Sequence, residues 1–458
     1  MRSVNFPMLP RSVLAAVLLA FALPGNTFAS VDRLDNAPGA TLLLPHFIVD
    51  ADDDPGAGAI TNTRFTVGNT SESSKVARVT LWTNMGVSTL AFNVHLNGHD
   101  EVEIDLRQLF RTGRVAETGT GVGPAGNLAQ PEQAAPGCDP VIGGEIMSDP
   151  ALRSGLIGAH RGNLGLDDMM CGGLSFGDGL LRGYATVDVV NECPSAGISG
   201  SWSNGTAITP ESAGYFVNGG NGVAANDNVL FGRFATIESD GGVGGELVSL
   251  QADAVDTRTS TPGEYTFYGS FVGFTAADNR EPLGGIWQAR TLTGGLFETE
   301  LVAWRDPKQV TPPFVCGGTP SWFPLSQNEA AWADEQENFF FFGDDIFFPN
   351  IPPPEPLIFP FVSSIADPAE LSPFPFGFVQ LNLNSTIFGQ TPGSAPDLSQ
   401  SWVGIRIKEF AGDPSRNFSD QRPATMLIPL WQLDGAFNCS QNMAMESECL
   451  PFRPSVKF

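Results

Sequence analysis

The chain has 458 residues and a formal net charge of −26, with 50 acidic residues against 24 basic ones. This balance argues against a nucleic-acid partner, because phosphate binding requires a basic surface, and it favours cations as small partners. Glycine (52) and proline (36) are abundant and only 16% of residues are charged, which is typical of short strands joined by turns rather than of helical bundles.

The first 29 residues have the pattern of a secretory signal peptide. Arg2 and Arg11 precede the apolar run Ser12–Leu23, and small residues stand at Thr27 and Ala29. We expect cleavage after Ala29 and a secreted, periplasmic or cell-surface location. No later run reaches the roughly 18 apolar residues of a membrane-spanning helix, so the sequence predicts no transmembrane helix after removal of the signal.

Six cysteines follow the predicted signal peptide: Cys138, Cys171, Cys193, Cys316, Cys439 and Cys449. An even number in a secreted chain predicts three disulfides, and the sequence cannot choose among the pairings. Spacing favours Cys439–Cys449 first and Cys138–Cys171 next. The chain has no CxxC pair, which argues against a zinc site.

The clearest β pattern runs from Arg64 to Phe110. Apolar residues alternate with polar ones, as in a strand with one buried face, at Phe65, Val67, Val76, Val79, Leu81, Val102, Ile104 and Leu106. Turn signals separate these runs at Gly68-Asn69, Asn84-Met85-Gly86 and Asn97-Gly98. The stretch therefore predicts consecutive antiparallel strands.

Residues 41–49 predict a strand before this stretch, and Pro45 predicts that it is an edge or bulged strand, because proline cannot donate to the ladder. The segments Phe65–Ser71 and Ala77–Trp82, followed by Asp105-Leu106, resemble the immunoglobulin-like and fibronectin-like modules of secreted bacterial proteins. The resemblance covers only this stretch and implies a β-sandwich fold and no activity.

The remaining chain predicts a linker, a helix and a second β domain. Residues 113–180 begin as a Gly/Pro/Ala-rich linker, and a helix then starts at Ser148-Asp149-Pro150 and stops at Gly162. A disulfide between Cys138 and Cys171 would tie this helical insert to the second domain. Further strands are predicted at 183–190, 229–237, 246–252, 265–274, 286–291, 297–304, 379–383, 402–410 and 425–431.

The sequence thus predicts an all-β protein with an immunoglobulin-like N-terminal sandwich and a larger, loop-rich antiparallel β domain with a small helical insert. The predicted boundaries are 1–29 for the signal peptide, 30–112 for the sandwich, 113–180 for the linker and insert, and 181–458 for the second domain.

Two segments of the second domain are ambiguous. Residues 330–338 fit a helix, with Ser326 and Glu329 as a capping box, and they fit a strand nearly as well. Residues 339–378 combine many phenylalanines with many prolines, which excludes a regular helix or central strand. This segment either packs its rings over the sheets or exposes them to a partner, lipid or polymer surface.

Catalytic motifs are weak. Gly173–Gly177 matches the G-x-S-x-G elbow around Ser175, but that fold requires a histidine later in the chain. All four histidines, His46, His95, His99 and His160, come before it. His95 and His99 flank the Asn97-Gly98 turn. A two-residue hairpin there would pair His95 with Asp100 and point the two imidazoles to opposite sides, which argues against a shared metal.

The acidic loop supplies the metal candidates. Asp50, Asp52 and Asp54 have the alternate spacing of a calcium loop, although Pro55 stands where an EF-hand needs glycine and no glutamate occurs at the twelfth position. We therefore weigh calcium against a solvated acidic turn. A carboxylate pair for glycoside hydrolysis is an alternative without local support, and its example residues are Asp188, Glu298 and Asp344. Trp202 and Trp322 are candidates for stacking on sugars or for the core.

The leading hypothesis is a secreted, non-enzymatic protein of the bacterial envelope with a structural, adhesive or binding role. Its expected partners are another envelope protein or a glycan. The alternative is a secreted polysaccharide-binding or polysaccharide-acting protein. Association with the outer membrane through the terminal Phe452–Phe458 is disfavoured, because Pro454 interrupts the segment.

Overall fold

The computed structural model describes residues 37–52, 61–118, 138, 142–162, 177–199, 207–238, 241–253, 266–268, 278–284, 286–292, 297–305, 330–336, 338–341, 361–366, 374–383, 401–409, 425–429 and 431–432. Within these residues it contains 21 strands, two helices and five antiparallel sheets. The all-β class is therefore confirmed. No helix in the described segments is long and apolar enough to cross a bilayer.

In chain order the elements are β1 (Thr41–Val49), β2 (Asn62–Asn69), β3 (Lys75–Thr83), β4 (Ser88–Leu96), β5 (Glu101–Asp105), α1 (Leu106–Thr112), β6 (Arg114–Thr118), β7 (Ile142–Glu145), α2 (Pro150–His160), β8 (Leu181–Val190), β9 (Gly197–Ile198), β10 (Leu230–Glu238), β11 (Gly241–Glu246), β12 (Val248–Leu250), β13 (Ile286–Leu292), β14 (Phe297–Arg305), β15 (Ala330–Ala333), β16 (Phe339–Phe341), β17 (Ser363–Ala366), β18 (Phe376–Asn382), β19 (Ser401–Glu409), β20 (Thr425–Pro429) and β21 (Trp431–Gln432).

The first sheet has six strands in the order β12-β1-β8-β3-β4-β9. The predicted first strand is confirmed with its bounds, and the register between β1 and β8 shifts between Leu44 and Phe47. This shift is the bulge that Pro45 predicted, since proline cannot donate to the ladder. The predicted turn at Asn84-Met85-Gly86 joins β3 to β4 in a hairpin, where Gly86 has a φ of 83°.

The second sheet has four strands in the order β11-β10-β2-β5. The chain crosses from it to the first sheet after β2 and returns after β4. The prediction of a hairpin at Asn97-Gly98 is therefore wrong. His95 lies opposite Val76 of β3 rather than Asp100, because the buried faces of β4 and β5 belong to different sheets.

The predicted strand through Leu106 ends one residue earlier. The Asp105 side chain accepts a hydrogen bond from the Gln108 N–H at 2.9 Å and caps α1, which ends at Gly113 with a φ of 69°. The helix buries Leu106, Leu109 and Phe110. These three residues are spaced three and four positions apart, which is the spacing of one buried helix face. The alternation that predicted a strand therefore stops at Asp105.

Strands from both sides of the predicted linker share these sheets. β8 lies between β1 and β3, β12 extends the first sheet beyond β1, and β10 and β11 extend the second sheet beyond β2. Residues before 112 and after 180 thus form one pair of sheets. The predicted helix is confirmed as α2, with Asp149 as its N-cap and Pro150 in its first turn.

The C-terminal strands form a five-stranded sheet, β16-β15-β18-β13-β21, and a four-stranded sheet, β17-β14-β19-β20, while β6 and β7 form a separate ribbon. The ambiguous segment at 330–338 contains strand β15. From the Phe/Pro-rich segment the structure describes residues 339–341, 361–366 and 374–378. There, Phe374 packs against the core while Phe376 is exposed. The remainder of 339–378 lies outside the described residues.

The first sheet is buried on both faces. One face forms a core with the second sheet, through residues such as Phe47, Phe92 and Phe65. The opposite face packs against aromatic residues of later segments. Trp82 stacks on Tyr184 with ring centroids 5.6 Å apart, in a cluster that continues into β14. This burial explains why β1, β3, β4 and β8 show almost no exposed residue.

Candidate functional site

A row of polar side chains crosses the middle of the first sheet. Thr41 of β1, Asp188 of β8, Arg78 of β3 and Asn93 of β4 are cross-strand partners in register, so their side chains share one face. Thr41, Arg78 and Asp188 are fully buried, and Asn93 is buried. Charged residues are almost never buried without partners, and the contacts of this row show how each is satisfied.

Asp188 accepts hydrogen bonds from three hydroxyl groups and forms an ion pair. Tyr215 and Tyr268 each donate to Oδ2 at 3.0 Å, and Thr41 donates to Oδ1. The Arg280 guanidinium lies 3.8 Å from Oδ1, and both charged side chains have no solvent exposure. The carboxylate therefore has partners from β1 and from three later segments of the chain.

Arg280 ties further backbone segments to this carboxylate. Its guanidinium donates to the carbonyl oxygen of Ala225 at 2.7 Å, to that of Asp278 at 2.8 Å and to Thr41 Oγ1 at 2.8 Å. It also lies over the Phe216 ring, 5.1 Å from the centroid. The ion pair thus anchors the segments 207–228 and 278–284 onto the first sheet.

Arg78 also ties backbone that follows β8 to the first sheet. Its guanidinium donates to Asn93 Oδ1 at 2.7 Å, to the carbonyl oxygens of Ile208 at 2.7 Å and Pro194 at 3.1 Å, and to that of Ser195 at 3.2 Å. Five donors in a fixed fork suit this multiple anchoring.

The electrostatics favour a structural role for this buried network. Burial raises the pKa of Asp188, although Arg280 and the hydroxyl donors oppose the shift, and burial lowers the pKa of Arg78. Burial and the nearby carboxylate raise the pKa values of Tyr215 and Tyr268 well above their ordinary value. A substrate cannot reach Asp188, which was an example residue for glycoside hydrolysis. The side chain of Glu298 and residue Asp344 lie outside the described residues.

His46 lies at the bulge of β1 and contacts strand β17 of the C-terminal four-stranded sheet. The Ser363 hydroxyl of β17 donates to the Pro45 carbonyl oxygen at 2.8 Å, so His46 Nδ1, 2.8 Å from Ser363 Oγ, carries the proton of the neutral ring. Burial lowers the pKa of His46 to about 3, and Arg182 and Arg406 add to the shift.

The other histidines are scattered. His160 of α2 is buried, with Nε2 2.9 Å from Thr89 Oγ1, and burial lowers its pKa to about 4. Burial also lowers the pKa of His95, while His99 is exposed at a positive φ of 57°. Among the described residues, no group of three His, Cys, Asp or Glu side chains is arranged to hold a metal ion.

The acidic loop is described only at its start. The Asp52 N–H donates to Asp50 Oδ1 at 2.9 Å, and the Asp52 carboxylate forms an ion pair with Arg161 after α2. Asp54 lies outside the described residues. The predicted calcium ligands therefore remain a prediction, and Asp52 has a cationic partner with which calcium would compete.

The cysteine prediction requires one correction. Cys138 forms a disulfide with Cys193, with Cα atoms 5.1 Å apart, so the predicted Cys138–Cys171 pair is wrong. The pairing follows from tertiary proximity, which sequence spacing does not encode. Cys171, Cys316, Cys439 and Cys449 lie outside the described residues, as do Ser175, Trp202 and Trp322.

A groove open to solvent lies at one end of the second sheet. It has a volume of about 450 Å³ and is bounded by β2, β5, β10 and α1. Its lining residues are Asn62, Arg64, Asp105, Arg107, Gln108, Arg111, Thr112 and Ile237. Its size falls within the range of small-molecule sites, roughly 300–1,000 Å³.

Three arginines and one aspartate line the groove. Asp105 is engaged by Arg64, whose Nε lies 2.9 Å from Oδ2, and by Asn62 Nδ2 at 3.0 Å. Arg107 donates to the carbonyl oxygens of Asp50 at 2.8 Å and Asp52 at 3.0 Å. Carbonyl partners orient a guanidinium without cancelling its charge. Arg64 also pairs with Glu103 at 3.5 Å, so the guanidinium groups of the groove lie among acidic side chains.

The sequence contained a signal for part of this groove. Arg107 and Arg111 are four residues apart after the helix cap at Asp105, a spacing that places them on one helix face. Arg64 joins them only through the pairing of β2 with β5, where it lies opposite Asp105.

No family model matches this chain, and searches of curated proteins and of solved structures also give no match.

Proposed function

We propose that this chain is a secreted, non-enzymatic protein of the bacterial envelope that acts by binding a partner. The observation that carries the proposal is the arginine-lined groove, because it combines three cationic side chains with access to solvent. Arginine binds oxyanions through paired N–H donors, which suits recognition without chemical turnover.

The surrounding fold supports a binding role. Asp188, Arg280 and Arg78 anchor loops to a sheet that is buried on both faces, so their charges stabilise the scaffold. Two antiparallel sheets that enclose one apolar core support the immunoglobulin-like sandwich as part of the same proposal.

Cell fractionation with crosslinking of the native protein tests the location and the partner. We expect the protein in the envelope or outside the cell, crosslinked to an envelope protein or a glycan. A cytoplasmic fraction without such a product would refute the proposal. A reducing-sugar assay on the purified protein tests turnover, and sustained product release from any polysaccharide would favour the alternative of a polysaccharide-acting enzyme.

Calcium binding at Asp50, Asp52 and Asp54 is proposed as a second, independent property. An ion that binds only the folded state stabilises it by an amount that grows with the logarithm of the ion concentration once that exceeds the dissociation constant, so millimolar calcium should raise the melting temperature and a chelator should reverse the increase. An Asp50→Asn/Asp54→Asn variant should lose the response. An unchanged melting temperature in the unmodified protein would remove the site from consideration.

A further inference from the structure

We infer that acidification opens the contact between the β1 bulge and strand β17, with His46 as the group that takes up the proton. The contact consists of His46, its neighbour Pro45, Asn84 of the β3–β4 turn and Ser363 of β17. The inference concerns a local conformational change and does not depend on the proposed binding function. It rests on how β17 is held, on the hydrogen bonds of the imidazole and on the charges around it.

Strand β17 is held to the first sheet at one residue. Among the described residues, three hydrogen bonds join β17 to β1 and the β3–β4 turn, and Ser363 makes all of them. Its hydroxyl donates to the Pro45 carbonyl oxygen at 2.8 Å and accepts from His46 Nδ1 at 2.8 Å. Its N–H donates to the Asn84 carbonyl oxygen at 3.1 Å. β17 has four residues and lies at one edge of its described sheet, and a short edge strand can open without global unfolding.

The neutral imidazole of His46 fits this contact and the protonated imidazole does not. Nδ1 donates to Ser363, whereas Nε2 is buried and has no hydrogen-bond partner within the described part of the chain. A proton on Nε2 would become a buried N–H donor without an acceptor, which costs the full desolvation of that group. Once β17 moves away, water can reach the ring and solvate both N–H groups. Proton uptake is therefore coupled to opening.

The charged groups that face His46 add to this coupling. Arg182 of β8 and Arg406 of β19 both oppose a positive charge on the ring, and Asp178, which pairs with Arg182 at 2.7 Å, offsets them only in part. Strand β17 itself contains no charged residue. Two carboxylates lie against Arg406 at 2.6 and 3.3 Å, and they belong to Glu238 of β10 and Glu300 of β14. The surroundings therefore favour the neutral ring while the contact is closed.

The lowered pKa of His46 sets the size of the effect. The pKa is about 3 in the closed protein, against an ordinary value of 6.5 once water reaches the ring. The neutral ring therefore stabilises the closed contact above pH 6.5, and this stabilisation is lost as pH falls toward 3. From pH 7 to pH 5 the equilibrium constant for opening should increase about 25-fold.

Amide hydrogen exchange of the unmodified protein at pH 7 and pH 5, corrected for the pH dependence of intrinsic exchange, tests the inference. We expect the opening constant measured at the Ser363 N–H to rise about 25-fold. Exchange through a local opening should be insensitive to low urea, whereas exchange of central β3 amides through global unfolding should accelerate with urea. An unchanged opening constant at Ser363, or a urea dependence equal to that of β3, would overturn the inference.

Variants assign the effect to His46. His46→Asn and His46→Gln cannot take up a proton, and each should reduce the increase at the Ser363 N–H to less than about twofold. His160→Gln is the matched control and should retain the increase. His160 is also buried with a lowered pKa, but it contacts Thr89 and the Arg182 carbonyl oxygen rather than β17. An increase that persists without His46, or one that disappears in His160→Gln, would contradict the assignment. Melting temperatures verify that each variant is folded.

Discussion

Replacing Asp188 with alanine is expected to lower the free energy of unfolding by about 3–5 kcal/mol, which is the usual cost of removing one partner from a buried ion pair. The variant would leave the Arg280 charge fully buried without its carboxylate. It would also remove the acceptor for the hydroxyl groups of Thr41, Tyr215 and Tyr268. Urea unfolding followed by tryptophan fluorescence measures the loss.

A matched control is available at the surface. Asp227 pairs with Lys75 at 2.5 Å but is 51% exposed, so Asp227→Ala should cost no more than about 1 kcal/mol. The double variant Asp188→Leu/Arg280→Met removes both buried charges and should recover part of the stability lost in Asp188→Ala. Equal losses in Asp188→Ala and Asp227→Ala would show that the buried network does not stabilise the fold.

Acidification from pH 7 to pH 5 is expected to remove about 2 kcal/mol of stability for each of two buried histidines, because one pKa unit corresponds to about 1.36 kcal/mol. The pKa values of His46 and His160 are lowered to about 3 and about 4. As pH falls, these histidines bind protons in the unfolded chain near their ordinary pKa of 6.5, whereas in the folded chain they stay neutral until the pH approaches their lowered pKa values. The stabilisation is therefore present above pH 6.5 and is lost as pH falls toward 4.

The charged groups around His46 strengthen this effect. Arg182 and Arg406 oppose a positive charge on the ring, and Asp178 only partly offsets them. Asp278 acts in the opposite direction, since burial raises its pKa to about 7. Its protonation in the folded state adds stability as pH falls from 7 toward 4. The histidine contribution must therefore be measured as a difference between variants.

Unfolding free energies at pH 7 and pH 5 isolate that difference. Relative to the unmodified protein, His46→Asn and His160→Gln should each reduce the pH 7 to pH 5 loss by about 2 kcal/mol. His99→Gln serves as the control, because that side chain is exposed. Identical pH dependence in all three variants would mean that buried histidines do not govern acid sensitivity.

The sequence alone predicted the structural elements that depend on local turn and cap signals. The bulge in β1 follows from Pro45, the β3–β4 hairpin from its Asn-Met-Gly turn, and α2 from Asp149 and Pro150. Each of these depends on backbone preferences within a few residues, which is why the pattern identified them. The all-β class follows from the same local signals repeated along the chain.

Local signals gave the wrong prediction where one sequence pattern fits two structures almost equally well. Val102, Ile104 and Leu106 alternate as in a strand, yet Asp105 caps a helix at that point. The Asn97-Gly98 turn has the composition of a hairpin, yet the chain crosses there to the other sheet. In both cases the packing of Leu109, Phe110 and the two sheet faces outweighed the local preference.

By itself, the sequence determined an all-β fold, a bulged first strand and a capped helix, because turn and cap chemistry act over short distances. Only the tertiary structure decided that residues after 180 complete the first two sheets, that Cys138 pairs with Cys193, and that Asp188 contacts Arg280. The groove likewise required the pairing of Arg64 with Asp105 across two strands. These contacts join residues far apart in the chain, and sequence periodicity contains no information about which distant segments meet.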